Sequence, residues 1–235
     1  MFSTDVFERR RSEALMIKEL PQRLYVMLIS ALTFTGVIAS LISAQITMHM
    51  DPKSEDNWML GLVVLVSAFA GMALADRAKH PATALLGYAM IVIPFGLLLG
   101  PVLATYTTAS VVKVLLLVSV LVVVLGIIGT SIPQSMEHLG GAILVGLIAL
   151  LVAIFVTPFI ARVFGIDYEM MKDWVSWAGV LLFSGITIYD FNRMMHIPRT
   201  FKNVVDVSIA IYLNFINIVV FLLEVMGVKS SSTEG

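Results

Sequence analysis

The sequence predicts an all-α fold, a polytopic membrane protein with seven transmembrane helices. Of its 235 residues, 59% are hydrophobic and 13% are charged, and the mean hydropathy is +0.96. Seven apolar stretches are close to or above the length of about 20 residues that a helix needs to cross a bilayer. Long runs such as Val111–Ile128 do not alternate as the strands of a transmembrane barrel would. We therefore expect the lipid bilayer to be the main partner of the chain.

The predicted spans are joined by short connections, which leave no room for a soluble domain between them. In chain order they are Leu24–Met48, Trp58–Ala75, Ala82–Tyr106, Val111–Thr130, Ala142–Phe164, Trp174–Tyr189 and Val205–Met226. The first apolar stretch is too long for the apolar region of a signal peptide, so we expect it to be retained as a first span.

Small residues and prolines mark the second and third spans. Ser67, Gly71 and Ala75 repeat every four residues and share one helix face, a pattern typical of close helix packing in lipid. The third span contains Pro94 and Pro101, each of which leaves a backbone carbonyl of the preceding turn without its usual donor. We expect neighbouring helices or water to satisfy these carbonyls.

The basic residues predict the orientation in the membrane, because Lys and Arg favour cytoplasmic connections. Ten of them fall on the N-terminal side of the predicted topology and four on the other side. We therefore predict a cytoplasmic N-terminus and, after seven crossings, a C-terminus outside. The ten residues are Arg9, Arg10, Arg11, Lys18, Arg23, Arg77, Lys79, Arg193, Arg199 and Lys202.

Three segments follow from this topology: a cytoplasmic N-terminal segment (residues 1–20), a seven-helix transmembrane domain (residues 21–228) and a flexible tail (residues 229–235). The chain contains no cysteine, so it forms no disulfide. The net charge of −1 gives no reason to expect a nucleic-acid partner.

Ionisable residues at membrane depth are candidates for function, because burying their charge is costly. The candidates are Lys113, Asp190, Asp206 and Glu224, with Arg77 at the cytoplasmic end of the second span. Asp190 is the strongest candidate, since it follows Tyr189 at the C-terminal end of the predicted sixth span, where the helix dipole disfavours a carboxylate. Either Arg193, three residues later, or Arg77 from another helix could compensate its charge.

The seventh span contains two amides, Asn214 and Asn217, on one helix face. Such amides usually hydrogen-bond between membrane helices. Alternatively, they line a polar path beside Asp190, together with Tyr189.

Signatures of membrane enzymes are incomplete in the sequence. Glu137–His138 lacks the second histidine of a His-Glu-x-x-His zinc site. Tyr189–Asp190 resembles one half of a membrane aspartyl protease site, but no Gly-x-Gly-Asp motif follows in the next span. We therefore expect no catalytic residues, no metal site and no cofactor.

Two motifs resemble the Bax inhibitor family of membrane proteins, in the order and spacing that the family shows. They are Thr187–Ile188–Tyr189–Asp190 and Leu213–Asn214–Phe215–Ile216–Asn217, and looser similarity extends from about Pro21 to Gly227. The resemblance implies seven helices, with the last enclosed by the others. It also implies a bacterial inner membrane protein, either a modulator of an FtsH-type quality-control protease or a pH-sensitive leak for calcium or another cation.

In the leak mechanism of the family, two aspartates of the last two helices share a proton and exchange an arginine partner. The resemblance assigns Asp190 to the first aspartate and Arg77 to the arginine. At the second position this chain has Asn214, which cannot ionise, and Glu224 stands where an arginine is common. We therefore predict a regulatory membrane protein first and a cation leak second, with Asp190, Asn214 and Arg77 as candidates for proton sensing or gating.

Overall fold

The computed structural model describes residue 16 and residues 18–50 and 57–230. Most of the predicted N-terminal segment and residues 231–235 of the predicted tail lie outside the described residues. Among the described residues, seven helices are long and apolar enough to cross a membrane, which confirms the predicted all-α membrane fold. They are α1 (Gln22–Thr47), α2 (Asn57–Asp76), α3 (Pro81–Ala104), α4 (Thr108–Ser131), α5 (Gly140–Phe164), α6 (Tyr168–His196) and α7 (Phe201–Met226).

Six of the predicted spans agree with the helices to within a few residues, but the sixth span was predicted too short. Helix α6 begins six residues before Trp174 and ends seven residues after Tyr189. Hydropathy underestimates it because polar residues continue the helix at both ends. Its most apolar window has a mean hydropathy of 1.3, against 2.1 to 3.1 in the other spans. Asp190 is therefore an internal residue of α6 and does not end it.

The helices form two compact units. The first contains α1, α2, α3 and the part of α7 up to Tyr212, and the second contains α4, α5, α6 and α7 from Leu213 onward. In the first unit α3 packs against both α1 and α2, and in the second α6 packs against both α4 and α5. Helix α7 is the most buried, with 56% of its most apolar window buried against 11–39% in the other six spans. This agrees with the expectation that the last helix is the enclosed one.

Close approach between α2 and α3 depends on two glycines. A Cβ atom on Gly71 would lie 2.6 Å from the carbonyl oxygen of Gly87, and one on Gly87 would lie 2.7 Å from the backbone nitrogen of Ala75. Ser67 on the same face donates a hydrogen bond to the Met90 carbonyl at 2.6 Å. The packing face predicted from Ser67, Gly71 and Ala75 is thus confirmed, and its partner is α3.

Hydroxyl groups satisfy the two carbonyls that the prolines of α3 leave open. Pro94 cannot donate to Met90, four residues earlier, and the Ser67 hydroxyl of α2 donates there instead. Pro101 cannot donate to Leu97, and Thr47 at the end of α1 donates to that carbonyl at 2.6 Å. Neighbouring helices therefore replace the missing backbone donors, as expected for a proline-containing helix in lipid.

In the second unit, the segment after α7 is paired with the turn before α4. Tyr106 and Lys229 form an isolated antiparallel bridge, and the Thr107 N–H donates to the Val228 carbonyl at 2.9 Å. The Val228 N–H in turn donates to the Ser110 hydroxyl at 2.9 Å. The chain is therefore held in place through residue 229, the first residue of the predicted tail.

Candidate functional site

A buried pair of polar side chains lies in the second unit, between α6 and α7. Asn214 donates a hydrogen bond from Nδ2 to Oδ2 of Asp190 at 2.7 Å. The two side chains are almost fully enclosed, since Asp190 is 7% exposed and Asn214 is 4% exposed. The structure thus brings together the two residues on which the sequence motifs centred.

The position of Asp190 within α6 corrects the electrostatic argument made from the sequence. The helix continues for six residues beyond Asp190 to His196, so the carboxylate lies outside the last turn of the helix. The repulsion by the helix dipole is confined to the last turn and does not apply at this position. The compensation observed for the buried carboxylate is the Asn214 amide.

The chemistry of this pair differs from that of two neighbouring acids. Two carboxylates in one site repel each other and share a proton. An amide offers Asp190 a hydrogen-bond donor but no charge and no proton to exchange. The pair therefore holds one ionisable group. Among the residues that the structure describes, no group of three or more His, Cys, Asp or Glu side chains could hold a metal ion.

The remaining candidates do not join the pair through the hydrogen bonds observed. Asn217 donates to the Leu213 carbonyl of its own helix at 2.8 Å. Tyr189 is half-buried, and its hydroxyl lies beside Gly140 at the start of α5. Arg77 is exposed in the turn after α2, in the first unit, so its pairing with Asp190 stays a prediction. Arg193 follows on α6 and is exposed.

Sequence reasoning missed Asn192, which is fully buried and organises the connection from α4 to α5. Its Nδ2 atom donates to the carbonyls of Ile132 at 3.0 Å and Gln134 at 3.1 Å. Its Oδ1 atom accepts from the Met136 N–H at 2.9 Å. Asn192 thus binds the turn formed by residues 132–136, which we call the α4–α5 connection. An amide two residues after Asp190 was the available signal.

A glycine of α4 permits this arrangement. A Cβ atom on Gly129 would lie 2.9 Å from Cβ of Phe191 and 3.2 Å from the backbone nitrogen of Asn192. The backbone of α6 therefore passes close to the end of α4, and the side chain of Asn192 reaches the connection that follows it.

A second missed cluster lies near the C-terminal end of α7, where Lys172 forms an ion pair with Glu224. Lys172 also lies 3.3 Å from Glu169, and the Tyr106 hydroxyl donates to Glu224 at 3.1 Å. Glu224 is therefore paired within the second unit.

Comparison with known proteins agrees with the family resemblance of the sequence. The model of the family described as "Inhibitor of apoptosis-promoting Bax1" matches residues 17–231. A protein of Caulobacter vibrioides, uncharacterized, is 29% identical over 185 residues, which cover 69% of this chain and 68% of that protein.

Two further bacterial relatives, also uncharacterized, are more distant in sequence. A protein of Deinococcus radiodurans is 24% identical over 86% of this chain and 87% of its own length. The protein YrjE of Lactococcus lactis is 23% identical over 75% of this chain and 74% of its own length. With the family match extending from before α1 to beyond α7, the chain belongs to the Bax inhibitor family.

Proposed function

We propose that this protein is a regulatory membrane protein that acts by binding another membrane protein complex, and that an FtsH-type quality-control protease is the partner. Membership of the Bax inhibitor family supports the general role, and the resemblance to bacterial modulators of such proteases supports the partner. The proposed role includes no catalytic step, no cofactor and no metal ion. We place the protein in the bacterial inner membrane with its N-terminus in the cytoplasm.

The observation that carries this proposal is the closed pair of Asp190 and Asn214. A pathway for a divalent cation needs several oxygen ligands, and carboxylates are the strongest among them. Here the buried carboxylate is occupied by an amide donor, and the neighbouring position adds no second negative charge. Binding to a partner requires no such pathway, so the pair fits a regulator better than a conducting site.

The N-terminal segment, residues 1–20, is the proposed contact with the partner. Arg9, Arg10 and Arg11 carry three adjacent positive charges on the predicted cytoplasmic side. Charges of this kind steer association with an acidic surface and increase the rate of encounter.

Co-purification from bacterial membranes tests this proposal. We expect the full-length protein to carry an FtsH-type protease with it, and a variant without residues 1–20 to lose it. Deletion of residues 231–235 is the matched control at the other terminus and should leave the association intact. Equal recovery of the protease with all three proteins would contradict the role of the N-terminal segment, and its absence from all three would contradict the choice of partner.

A pH-sensitive leak for calcium or another cation is the second candidate, and the burial of Asp190 in a membrane-spanning helix favours it. Calcium flux into proteoliposomes, measured across a range of pH, tests it. If Asp190 is the gate, Asp190→Asn changes the flux, and Asn214→Asp introduces a second acid and increases the pH dependence. Asn217→Asp is the matched control because Asn217 bonds to its own helix. Absence of flux at every pH would rule out the leak.

A further inference from the structure

The side chain of His196, the last residue of α6, contacts the α4–α5 connection. One protonation state of its imidazole ring satisfies the observed hydrogen-bond partners best. Its Nδ1 atom lies 2.8 Å from the carbonyl oxygen of Asn192, and its Nε2 atom lies 3.1 Å from the carbonyl oxygen of Pro133. Both distances are within the range of hydrogen bonds. The two ring nitrogens therefore face two groups that can only accept.

A neutral imidazole has one N–H and one bare nitrogen, so it can donate to one of these carbonyls only. Its other nitrogen would then direct a lone pair at a carbonyl oxygen. The imidazolium ion has two N–H groups and donates to both. Because imidazole titrates between about pH 5 and pH 8, this contact can change under physiological conditions.

We propose that His196 is a pH-dependent latch that fixes the α4–α5 connection to the end of α6. In the protonated state it ties Pro133 to the helix, beside the three bonds that Asn192 makes to Ile132, Gln134 and Met136. Loss of the proton removes one of the two bonds of His196, so the ring can no longer hold Pro133 and the carbonyl of Asn192 at the same time. The latch is separate from the Asp190–Asn214 pair and does not depend on the proposed function.

Among the described residues, the elements that contact His196 carry few other charges. Glu137 is the carboxylate of the short 3-10 turn Glu137–Leu139, which follows the connection. His138 is the other titratable residue of that turn. The last turn of α4, the connection itself and the first turn of α5 carry no charged residue. On its own helix Arg193 precedes His196 by three residues, and Arg199 follows in the chain.

The absence of cysteine from the sequence allows a direct test by electron paramagnetic resonance. Gln134 is exposed and contributes only its backbone carbonyl to the contacts of Asn192, so Gln134→Cys can carry a spin label without removing a bond. We expect the label to become more mobile as the pH rises from about 5 to about 8. In the His196→Gln background this pH dependence should be lost.

Two matched variants separate His196 from its titratable neighbours. His138→Gln and Glu137→Gln should each keep a pH-dependent label, because neither removes the two acceptors of His196. A label whose mobility changes equally with pH in the presence and absence of His196 would overturn the proposal. A label that is insensitive to pH in the parent protein would overturn it as well.

Nitrogen-15 NMR of the histidine rings measures their protonation in the parent protein. No variant therefore has to stay folded across the whole pH range. The signal of His196 is identified by its loss in His196→Gln. We expect both ring nitrogens to carry protons while the spin label is immobile, and one to be bare when it is mobile. A neutral ring in the immobile state would show that protonation does not close the latch.

Discussion

At the residue scale, two asparagines of α7 show how position decides what a polar side chain does. Asn214 and Asn217 are one turn apart and chemically identical. Asn214 is buried and donates to Asp190 on another helix, whereas Asn217 is half-buried and donates to its own backbone. An isolated buried carboxylate is costly without a hydrogen-bond donor. Asn214 should therefore contribute to the stability of the fold, and Asn217 much less.

Substitution of each amide by leucine, which is similar in size, tests this difference. We expect Asn214→Leu to lower the free energy of unfolding by about 0.6–2 kcal/mol, the usual contribution of a hydrogen bond between membrane helices. Asn217→Leu should change it by a few tenths at most, since its bond stays within one helix. Unfolding in mixed micelles, followed by circular dichroism, measures both variants. Equal destabilisation by the two would show that the bond to Asp190 contributes nothing.

The sequence identified Asp190 and Asn214, but the roles of Asn192 and His196 were not predicted from it. The first two lie in motifs with a recognisable order and within apolar runs, where any polar group stands out. Asn192 and His196 lie among other polar residues at the end of α6. Their partners are backbone carbonyls of the α4–α5 connection, and a backbone carbonyl has no signature in the sequence.

At the scale of single elements, α3 depends on what its neighbours supply. It carries two internal prolines and several glycines, which weaken a helix in isolation. Helix α2 offers a small-residue face and a serine hydroxyl, and α1 offers a threonine hydroxyl. The sequence predicted the packing face of α2 because a four-residue repeat is visible in one chain. It did not predict which helix would receive that face.

The two glycines of α2 provide a matched test of close packing. A methyl group on Gly71 would lie 2.6 Å from the Gly87 carbonyl oxygen, whereas one on Gly61 would meet nothing within 4 Å. We expect Gly71→Ala to destabilise the protein by about 1–3 kcal/mol through overpacking. Gly61→Ala should be neutral or stabilise it by up to about 1 kcal/mol, because alanine favours the helix. Thermal unfolding in detergent compares them, and a neutral Gly71→Ala would contradict the packing described here.

The hydrogen bond from the Thr47 hydroxyl to the Leu97 carbonyl can be tested by a double-mutant cycle with Pro101, the proline that makes this bond necessary. Thr47→Val removes the donor and leaves a partly buried carbonyl unsatisfied, which should cost about 1–3 kcal/mol. In Pro101→Ala the helix regains its own N–H donor for that carbonyl, so the same substitution should cost less there. Unfolding free energies of the four proteins give the coupling directly. Equal costs in both backgrounds would show that Thr47 does not replace the donor lost at Pro101.

At the scale of the whole molecule, α7 belongs to both units, with its division between Tyr212 and Leu213. Its polar side chains serve each unit separately. Tyr212 is hydrogen-bonded to Ser40 at 2.5 Å in the first unit, and Asn214 donates to Asp190 in the second. Hydropathy predicted α7 as a span like the others. Its greater burial follows from packing with other helices, which periodicity in a single chain does not reveal.

The orientation of the whole chain is predicted from its basic residues and can be measured by labelling. In the cysteine-free chain, Ile166→Cys lies in the connection between α5 and α6, and Gln134→Cys lies in the α4–α5 connection. With a cytoplasmic N-terminus, an impermeant maleimide should label residue 166 in intact bacterial spheroplasts and residue 134 only after lysis. The reverse pattern would place the N-terminus outside.

The pairing of each α3 proline with a hydroxyl on a neighbouring helix has a consequence for the evolution of the family. A proline at position 94 or 101 is tolerated because Ser67 or Thr47 covers the exposed carbonyl. Relatives that have replaced the proline no longer need the hydroxyl, and those that have lost the hydroxyl should have replaced the proline. Positions 67 and 94, and positions 47 and 101, should therefore covary across the family.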